Sequence, residues 1–225
     1  MDARTMNRRA LIRQSGLAGT AVVLGACGRK RVAVPPPPAQ IPAGTTERGV
    51  ASWYGHPYHG RPAADGEIYD MEQLVAAHRT LPFHTRVSVR NLSNNKTVEV
   101  RIIDRGPFVG GRIIDLSHKA AQQLEMIGSG IAPVEITVLA APASGVPAKF
   151  GVQVGAFGDK SNADRMEQSM KAAYGAGRQV QRAGDPPLWR VLAGAEPSPE
   201  AAEQLARRIR EEQKVPQAFV VRLDP

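Results

Sequence analysis

Residues 98–117 read VEVRIIDRGPFVGGRIIDLS and carry the strongest indication of the fold. Apolar side chains first occupy every second position, from Val98 to Ile102, which predicts a β-strand with one buried face. The Gly106-Pro107 pair cannot continue the strand, because glycine permits a sharp turn and proline lacks a backbone donor. The strand is therefore expected to end just before this pair.

Asp104 is the last residue of this predicted strand. A strand holds such a carboxylate in a fixed position, while the turn beside it opens space for a ligand. Asp104 is therefore a candidate catalytic residue. The alternative is that Asp104 pairs with Arg101 or Arg105 and only closes the turn.

The same pattern of short strands extends over residues 49–140. Further strands are predicted at residues 50–54, 85–92 and 134–138. Asn94-Asn95 forms a turn into the strand that ends at Asp104, which makes a hairpin. Ser117 is a good N-cap for a short helix, which Gly128 is expected to end. Mostly short strands with one small helix predict a compact β-barrel.

Two further polar side chains of this domain are candidates for a site. Glu67 follows a turn and His78 ends a short apolar run, so both are expected in loops of the barrel. Flat apolar surfaces come from the aromatic side chains Trp53, Tyr54, Tyr58 and Phe108. Aromatic rings beside carboxylates suit a carbohydrate, whose C–H faces stack on the rings while an acid reaches the glycosidic oxygen.

Each of these residues also has a plainer interpretation. Glu67 is then a solvated loop charge, His78 a structural histidine, and Trp53 a part of the core. Asp115 is interpreted mainly as a residue that helps to cap the helix after Ser117.

The composition limits the classes of partner. The chain has 225 residues, enough for one or two domains, and shifts in composition favour two. The formal net charge is +8, but residues 1–26 supply four arginines against one aspartate. The remainder is mildly basic without interleaved basic and aromatic residues, so a nucleic-acid partner is not expected. The single cysteine, Cys27, excludes an intramolecular disulfide and a cysteine-based metal cluster, and no metal or other cofactor is expected.

Residues 1–26 have the pattern of a signal peptide, with a basic start and an apolar segment too short to span a bilayer. The sequence LGAC at residues 24–27 resembles a bacterial lipoprotein box, in which Cys27 would be acylated. The alternative is an ordinary secretory signal. Residues 27–48 contain four consecutive prolines, which predict an extended tether. The expected arrangement is a periplasmic protein held at a membrane by lipid on Cys27, and the glycine after it favours the outer membrane.

A linker at residues 141–148, rich in small residues and proline, precedes a second domain at residues 149–225. Hydrophobic patterns there predict a strand, a helix, two strands, a helix and a strand. The second helix begins with Ser198-Pro199, a favoured cap followed by proline at the first helical position. The order βαββαβ implies an antiparallel sheet backed by two helices.

Five motifs of the first domain, taken in order, resemble the RlpA family of septal-ring lytic transglycosylases. They are GVASWYG at 49–55, DGEIYD at 65–70, AAHRTLP at 76–82, DRGPF at 104–108 and RIIDLS at 112–117. The resemblance implies a double-psi β-barrel, and it puts Glu67, His78 and Asp104 on the proposed active-site positions of the family. Two departures are Ala63 and Val75, where the family commonly has threonine.

The second domain resembles the SPOR domain, a module that binds denuded glycan strands of peptidoglycan at division sites. The resemblance rests on GVQVGAF at 151–157, WRV at 189–191 and Gly194. It implies that Gln153, Trp189 and Arg190 contact glycan from the sheet face. The alternative is that they are ordinary strand residues.

The two resemblances imply an endolytic lytic transglycosylase that acts at the septum on glycan strands lacking stem peptides. Such an enzyme cuts the MurNAc–GlcNAc bond and leaves 1,6-anhydro-MurNAc ends. One acid suffices, because the C6 hydroxyl of the substrate attacks the anomeric carbon and the same residue can collect its proton. Asp104 is the expected general acid and base, with Glu67 as the second carboxylate and His78 orienting one of them.

The expected substrate contacts in the barrel are Trp53, Tyr54, Tyr58, Arg105 and Phe108. Peptidoglycan, the membrane and proteins of the division site are the expected partners. A non-catalytic, expansin-like protein that binds the cell wall is the alternative, and a hydrolase on the same barrel is a third hypothesis.

Overall fold

The computed structural model describes residues 41–142, 147–182 and 187–223. The predicted signal peptide, the predicted lipidation site Cys27 and most of the predicted tether lie outside the described residues, and these assignments stay predictions. The described residues belong to one compact unit. Within the described part of the chain, no helix combines the length and the apolar composition that crossing a membrane requires.

Six strands of the first domain close into a barrel in the order β1-β5-β2-β4-β3-β6. Their bounds are β1 Thr46–Tyr54, β2 Val75–His78, β3 Arg86–Asn91, β4 Thr97–Asp104, β5 Arg112–Ser117 and β6 Ile131–Ala140. The pairs β1–β5 and β2–β4 are parallel, and the remaining neighbours are antiparallel. The predicted double-psi β-barrel is confirmed.

Strand β4 has the predicted form and ends at Asp104. Val98, Val100 and Ile102 point into the barrel core and are buried. Ile103, on the opposite face, is also buried, because it packs against a separate small cluster outside the barrel. The end of the strand is thus covered on both sides, which fixes the position of the Asp104 backbone.

The structure corrects several sequence-based boundaries. Strand β1 begins at Thr46, inside the predicted tether, because residues 46–48 pair with β6. His78 is the last residue of strand β2 rather than a loop residue. Ser117 caps helix α1 (His118–Gln123) as expected, but the helix ends at the Leu124 cap and not at Gly128.

The second domain is a four-stranded antiparallel sheet in the order β10-β7-β9-β8. Its elements are β7 Lys149–Phe157, α2 Lys160–Tyr174, β8 Gly177–Arg182, β9 Leu188–Glu196, α3 Pro199–Glu212 and β10 Phe219–Leu223. Asp159 and Ser198 cap the two helices, and Gly175 ends α2 in the left-handed conformation with φ 70°. This confirms the βαββαβ order.

The two domains touch through a small set of contacts. The backbone N–H of Arg222 in β10 donates to the carbonyl of Arg79 at 2.9 Å. The guanidinium of Arg79 lies over the ring of Phe219, with 5.6 Å between Cζ and the ring centre. On the other side Arg190 of β9 lies over Phe108 of the barrel at 4.9 Å. The sheet face without helices is therefore turned towards the end of β4.

Candidate active site

An open groove with a volume of about 320 Å³ lies where β4 ends and the following turn begins. Its polar lining comprises Ser52, Asp104, Arg105, Arg112 and Asp115, and its aromatic lining comprises Trp53, Tyr54, Tyr58 and Phe108. The predicted barrel contacts of the substrate therefore share one groove with Asp104. Two carboxylates face this space, and the second of them is Asp115.

Two backbone N–H groups hold the Asp104 carboxylate in place. Its Oδ1 accepts from the backbone N–H of Arg105 at 2.7 Å and from that of Ala64 at 3.2 Å. The residue is only 4% exposed, although it lines the groove. A carboxylate fixed in this way can meet a substrate atom without first losing much side-chain entropy.

Asp115 of β5 is held by a different set of groups. Its Oδ1 accepts a short hydrogen bond from the Ser52 hydroxyl, and Arg112 Nε lies 3.9 Å from the same oxygen. Burial raises the pKa of the Asp115 carboxyl, and the nearby charge of Asp104 raises it further. Asp115 therefore keeps its proton to a higher pH than an ordinary aspartate does.

The interpretation of Asp115 as a helix-capping residue is wrong. The hydroxyl of Ser117 alone accepts from the first turn of α1, at 3.2 Å from Ala120 N. Asp115 points instead to Ser52 in the parallel neighbour β1, where the two residues are directly paired. No local sequence pattern indicates this partner, because Ser52 lies 63 residues from Asp115.

Aromatic rings wall one side of the groove. Tyr54 stacks on Tyr69 with 4.3 Å between ring centres and meets the edge of Tyr58 at 5.9 Å. Tyr58 is 44% exposed, so its face is open to a ligand. Trp53 packs partly against the barrel core and also lines the groove, a position compatible with both interpretations of this residue.

Glu67 does not line the groove. Its two carboxylate oxygens accept from Arg101 Nη1 and Nη2 at 2.6 and 2.8 Å. This bidentate pair lowers the pKa of Glu67. The pair ties the 64–67 turn to strand β4, and the same turn supplies the Ala64 N–H to Asp104. The structure thus connects Glu67 to Asp104 through the backbone rather than through a shared cavity.

One group of side chains has the composition of a cation site. Single ligand atoms of Asp65, Glu67 and His84 all lie within 4.8 Å of one another. Arg101 stands beside them, since its Nη1 is 3.1 Å from His84 Nδ1 and 2.6 Å from Glu67. The guanidinium already supplies a positive charge to these groups, so a metal ion would have to displace it.

His78 is buried and has partners that fix its tautomer. Its Nδ1 accepts from the backbone N–H groups of Thr80 and Leu81 at 3.2 and 3.1 Å. The proton is therefore on Nε2, which donates to Glu47 at 3.2 Å. Burial lowers the pKa of His78, which keeps the ring neutral at neutral pH. The expected role of orienting Asp104 or Glu67 is not supported, because the ring is engaged elsewhere.

Replacing His78 by alanine is expected to lower stability, because two backbone N–H groups lose their acceptor inside the protein. The expected loss is about 1–3 kcal/mol in the free energy of unfolding. Urea denaturation followed by circular dichroism measures it. Glu47→Gln is the control, since glutamine still accepts from His78 and should unfold close to the wild-type midpoint. An alanine variant of unchanged stability that has lost activity would make His78 catalytic instead.

The two departures from the family pattern lie in the core. Ala63 is 8% exposed and Val75 is 2% exposed, and both pack with Tyr69 and Ile103 in the small cluster outside the barrel. Both residues contribute methyl groups to this apolar cluster, and neither lines the groove of Asp104.

The predicted glycan contacts of the second domain divide between two faces of the sheet. Gln153 accepts from Arg190 Nε at 2.6 Å on the face turned towards the barrel. Successive residues of a strand point to opposite faces, so Trp189 lies on the other face. There it packs against the domain core, with Lys160 Nζ 5.4 Å from its ring centre. The expectation that Trp189 contacts glycan beside Gln153 and Arg190 is therefore corrected.

Comparison with known proteins finds a family match for each of the two domains. The lytic transglycolase family matches residues 46–136, and the SPOR domain family matches residues 146–222. Similar proteins include the "Endolytic peptidoglycan transglycosylase RlpA" of Campylobacter jejuni, 52% identical over 102 residues, which are 45% of this chain and 37% of that protein. The protein of the same name from Vibrio cholerae is 51% identical over 98 residues, 44% of this chain and 37% of that protein.

The barrel domain is thus similar to the RlpA proteins, and the second domain matches the SPOR domain family. The matched region spans little more than a third of the length of these curated relatives. It contains the whole groove described above, from Ser52 to Asp115.

Proposed function

We propose that this chain is an endolytic lytic transglycosylase that cuts the glycan strand of peptidoglycan. One observation carries the proposal: Asp104 and Asp115 face the same groove, and aromatic rings wall it. The names of the relatives support the same reaction. A sugar chain fits such a groove, because its apolar C–H faces stack on the rings while its oxygens reach the carboxylates.

Asp115 is the proton donor in this proposal. Cleavage requires a proton on the leaving glycosidic oxygen while positive charge develops on the muramic acid ring. The raised pKa of Asp115 favours the protonated carboxyl that this step needs. Breaking the C1–O bond leaves the proton on the departing GlcNAc hydroxyl and leaves Asp115 ionised.

Asp104 then acts as the base. The C6 hydroxyl of the same muramic acid attacks C1, and its proton passes to Asp104 as the 1,6-anhydro bond forms. The reaction consumes no water, because the anomeric carbon loses its bond to the GlcNAc oxygen and gains a bond to the C6 oxygen. The open groove lets both carboxyls exchange protons with solvent before the next turnover. The two proton transfers expected of Asp104 alone are thus assigned to two aspartates.

We further propose that the substrate is a strand without stem peptides and that the second domain directs the protein to the division septum. The match to the SPOR domain supports this placement. Lipid attachment at Cys27 and export to the periplasm stay parts of the same proposal.

The test is a digestion of purified glycan strands with and without stem peptides. Mass spectrometry of the denuded digest should show new ends that are lighter by one water than reducing ends, and peptide-bearing strands should be cut more slowly. Strands that bind but gain no new ends would support the non-catalytic alternative. Equal cutting of both substrates would contradict the specificity for denuded strands.

A further inference from the structure

Three cavities adjoin one another from the barrel groove, through the space between the barrel and the sheet, to the far end of the sheet. The groove of the barrel and a second cavity of about 390 Å³ are both lined by Arg105. This second cavity lies between the 62–66 turn of the barrel and the sheet. It shares Arg178 and Arg222 with a third cavity of about 650 Å³ at the far end of the sheet. We call the three cavities together the track.

The sheet-side part of the track carries positive charge. The basic residues that line the second and third cavities are Arg105, Lys149, Lys171, Arg178, Arg190 and Arg222. No aspartate or glutamate lines these two cavities among the residues that the structure describes. Some of these cations also have protein partners, as Arg190 has in Gln153, yet their summed field in a concave surface attracts an anion.

Both domains build the second cavity. The barrel contributes Ala63, Ala64 and the ring of Phe83, over which Arg105 lies at 3.7 Å. The sheet contributes Arg178 from β8 and Arg190 from β9, on the face opposite to its helices. A ligand in this cavity would touch both domains at once.

We propose that the track binds one glycan strand along its length, and that its basic residues bind the lactyl carboxylates of successive muramic acids. This inference rests on the proposed function, whose substrate it specifies. A muramic acid that has lost its stem peptide has a free carboxylate, whereas a peptide-bearing one has a neutral amide at that position. Basic side chains along the track would therefore form an ion pair at the lactyl position of a denuded strand and could form none with the amide there.

The joint track makes a prediction that a sheet acting alone does not make. A strand held by both domains must pass Ala64 of the barrel, which is exposed and lines the second cavity. A negative charge at residue 64 would then repel the strand, although residue 64 lies outside the second domain.

The experiment measures the affinity of the full chain for denuded glycan strands by fluorescence anisotropy. All proteins carry Asp104→Asn so that the strands stay intact. Chito-oligosaccharide of matched length, which lacks the lactyl carboxylate, is the neutral probe. Arg178→Gln tests the sheet side of the track, and Arg207→Gln on α3 is the control, because Arg207 is exposed and does not line it.

Arg178→Gln should weaken binding of the denuded strand about tenfold, the effect of losing one charge-assisted hydrogen bond. It should leave binding of the neutral probe unchanged, and Arg207→Gln should change neither. Equal losses for both probes would overturn the role of the carboxylate. Equal losses of affinity for Arg178→Gln and Arg207→Gln would show that only the net charge of the protein matters, and would overturn the role of the track.

Ala64→Asp and Ala64→Asn test the contribution of the barrel with side chains of equal size. The aspartate variant should bind denuded strands several-fold more weakly than the asparagine variant, and the difference should shrink at high salt. Equal affinities would show that the sheet binds without the barrel and would overturn the joint track. Because the readout is binding, it stands even if the wild-type chain cuts no glycan, which separates this proposal from the catalytic one.

Discussion

Asp104→Asn should abolish the formation of 1,6-anhydro ends while leaving the fold intact. Asparagine keeps the Oδ1 that accepts from Ala64 and Arg105, so the backbone around the groove has the same hydrogen bonds. What is lost is the base that collects the C6 proton and the negative charge beside the developing cation. A positioned acid or base typically contributes about 10²–10⁴-fold in rate, and a loss of this size is expected.

The measurement is the initial rate of new anhydro ends on denuded strands, with circular dichroism and thermal unfolding as the check on folding. Asp70→Asn is the matched control, because Asp70 is a barrel aspartate outside the groove whose Oδ1 accepts from Glu72 N at 2.9 Å. Its activity should equal that of the wild type. A turnover of Asp104→Asn within a few-fold of the wild type would remove Asp104 from the mechanism.

Asp115→Asn should slow cleavage by a similar factor and at the same time make the protein more stable at neutral pH. The carboxyl of Asp115 has a raised pKa in the folded state because ionising it inside the protein is unfavourable. In the unfolded chain it ionises near the ordinary value of about 3.9. The wild type therefore loses stability as the pH rises from that value through the raised folded value, and asparagine removes this loss.

Thermal unfolding across a pH series measures the effect. The melting temperature of Asp115→Asn should exceed that of the wild type at neutral pH, and the two should converge below the unfolded pKa. The activity of the wild type should fall as the pH rises through the raised pKa, because the proton donor is then ionised. A variant that is less stable than the wild type at neutral pH would contradict the raised pKa of the buried Asp115 carboxyl.

The sequence predicted those parts of the fold that depend on local pattern. Strand β4 alternates and ends at a Gly-Pro turn, Ser117 and Ser198 cap helices, and Gly175 stops α2 in the conformation that glycine favours. Each of these signals lies within a few residues of its effect. The βαββαβ domain follows from such signals almost entirely.

The strands that were missed lack a local signal. Strand β2 is buried on all four residues, and β5 is nearly so, so neither shows the alternation of a half-buried strand. Both take part in parallel pairs with strands that lie far away in the chain. The roles of Glu67 and Asp115 escaped for the same reason, since Arg101 and Ser52 lie 34 and 63 residues from them. Only the closed barrel brings these groups together.

In the proposed mechanism the sugar's own C6 hydroxyl, and not water, attacks the anomeric carbon in the groove of Asp104 and Asp115. The most direct test is a digestion of denuded strands in water enriched in heavy oxygen, followed by mass spectrometry of the new ends. The mechanism predicts anhydro ends that contain no heavy oxygen. New reducing ends that carry it would show hydrolysis and contradict the mechanism.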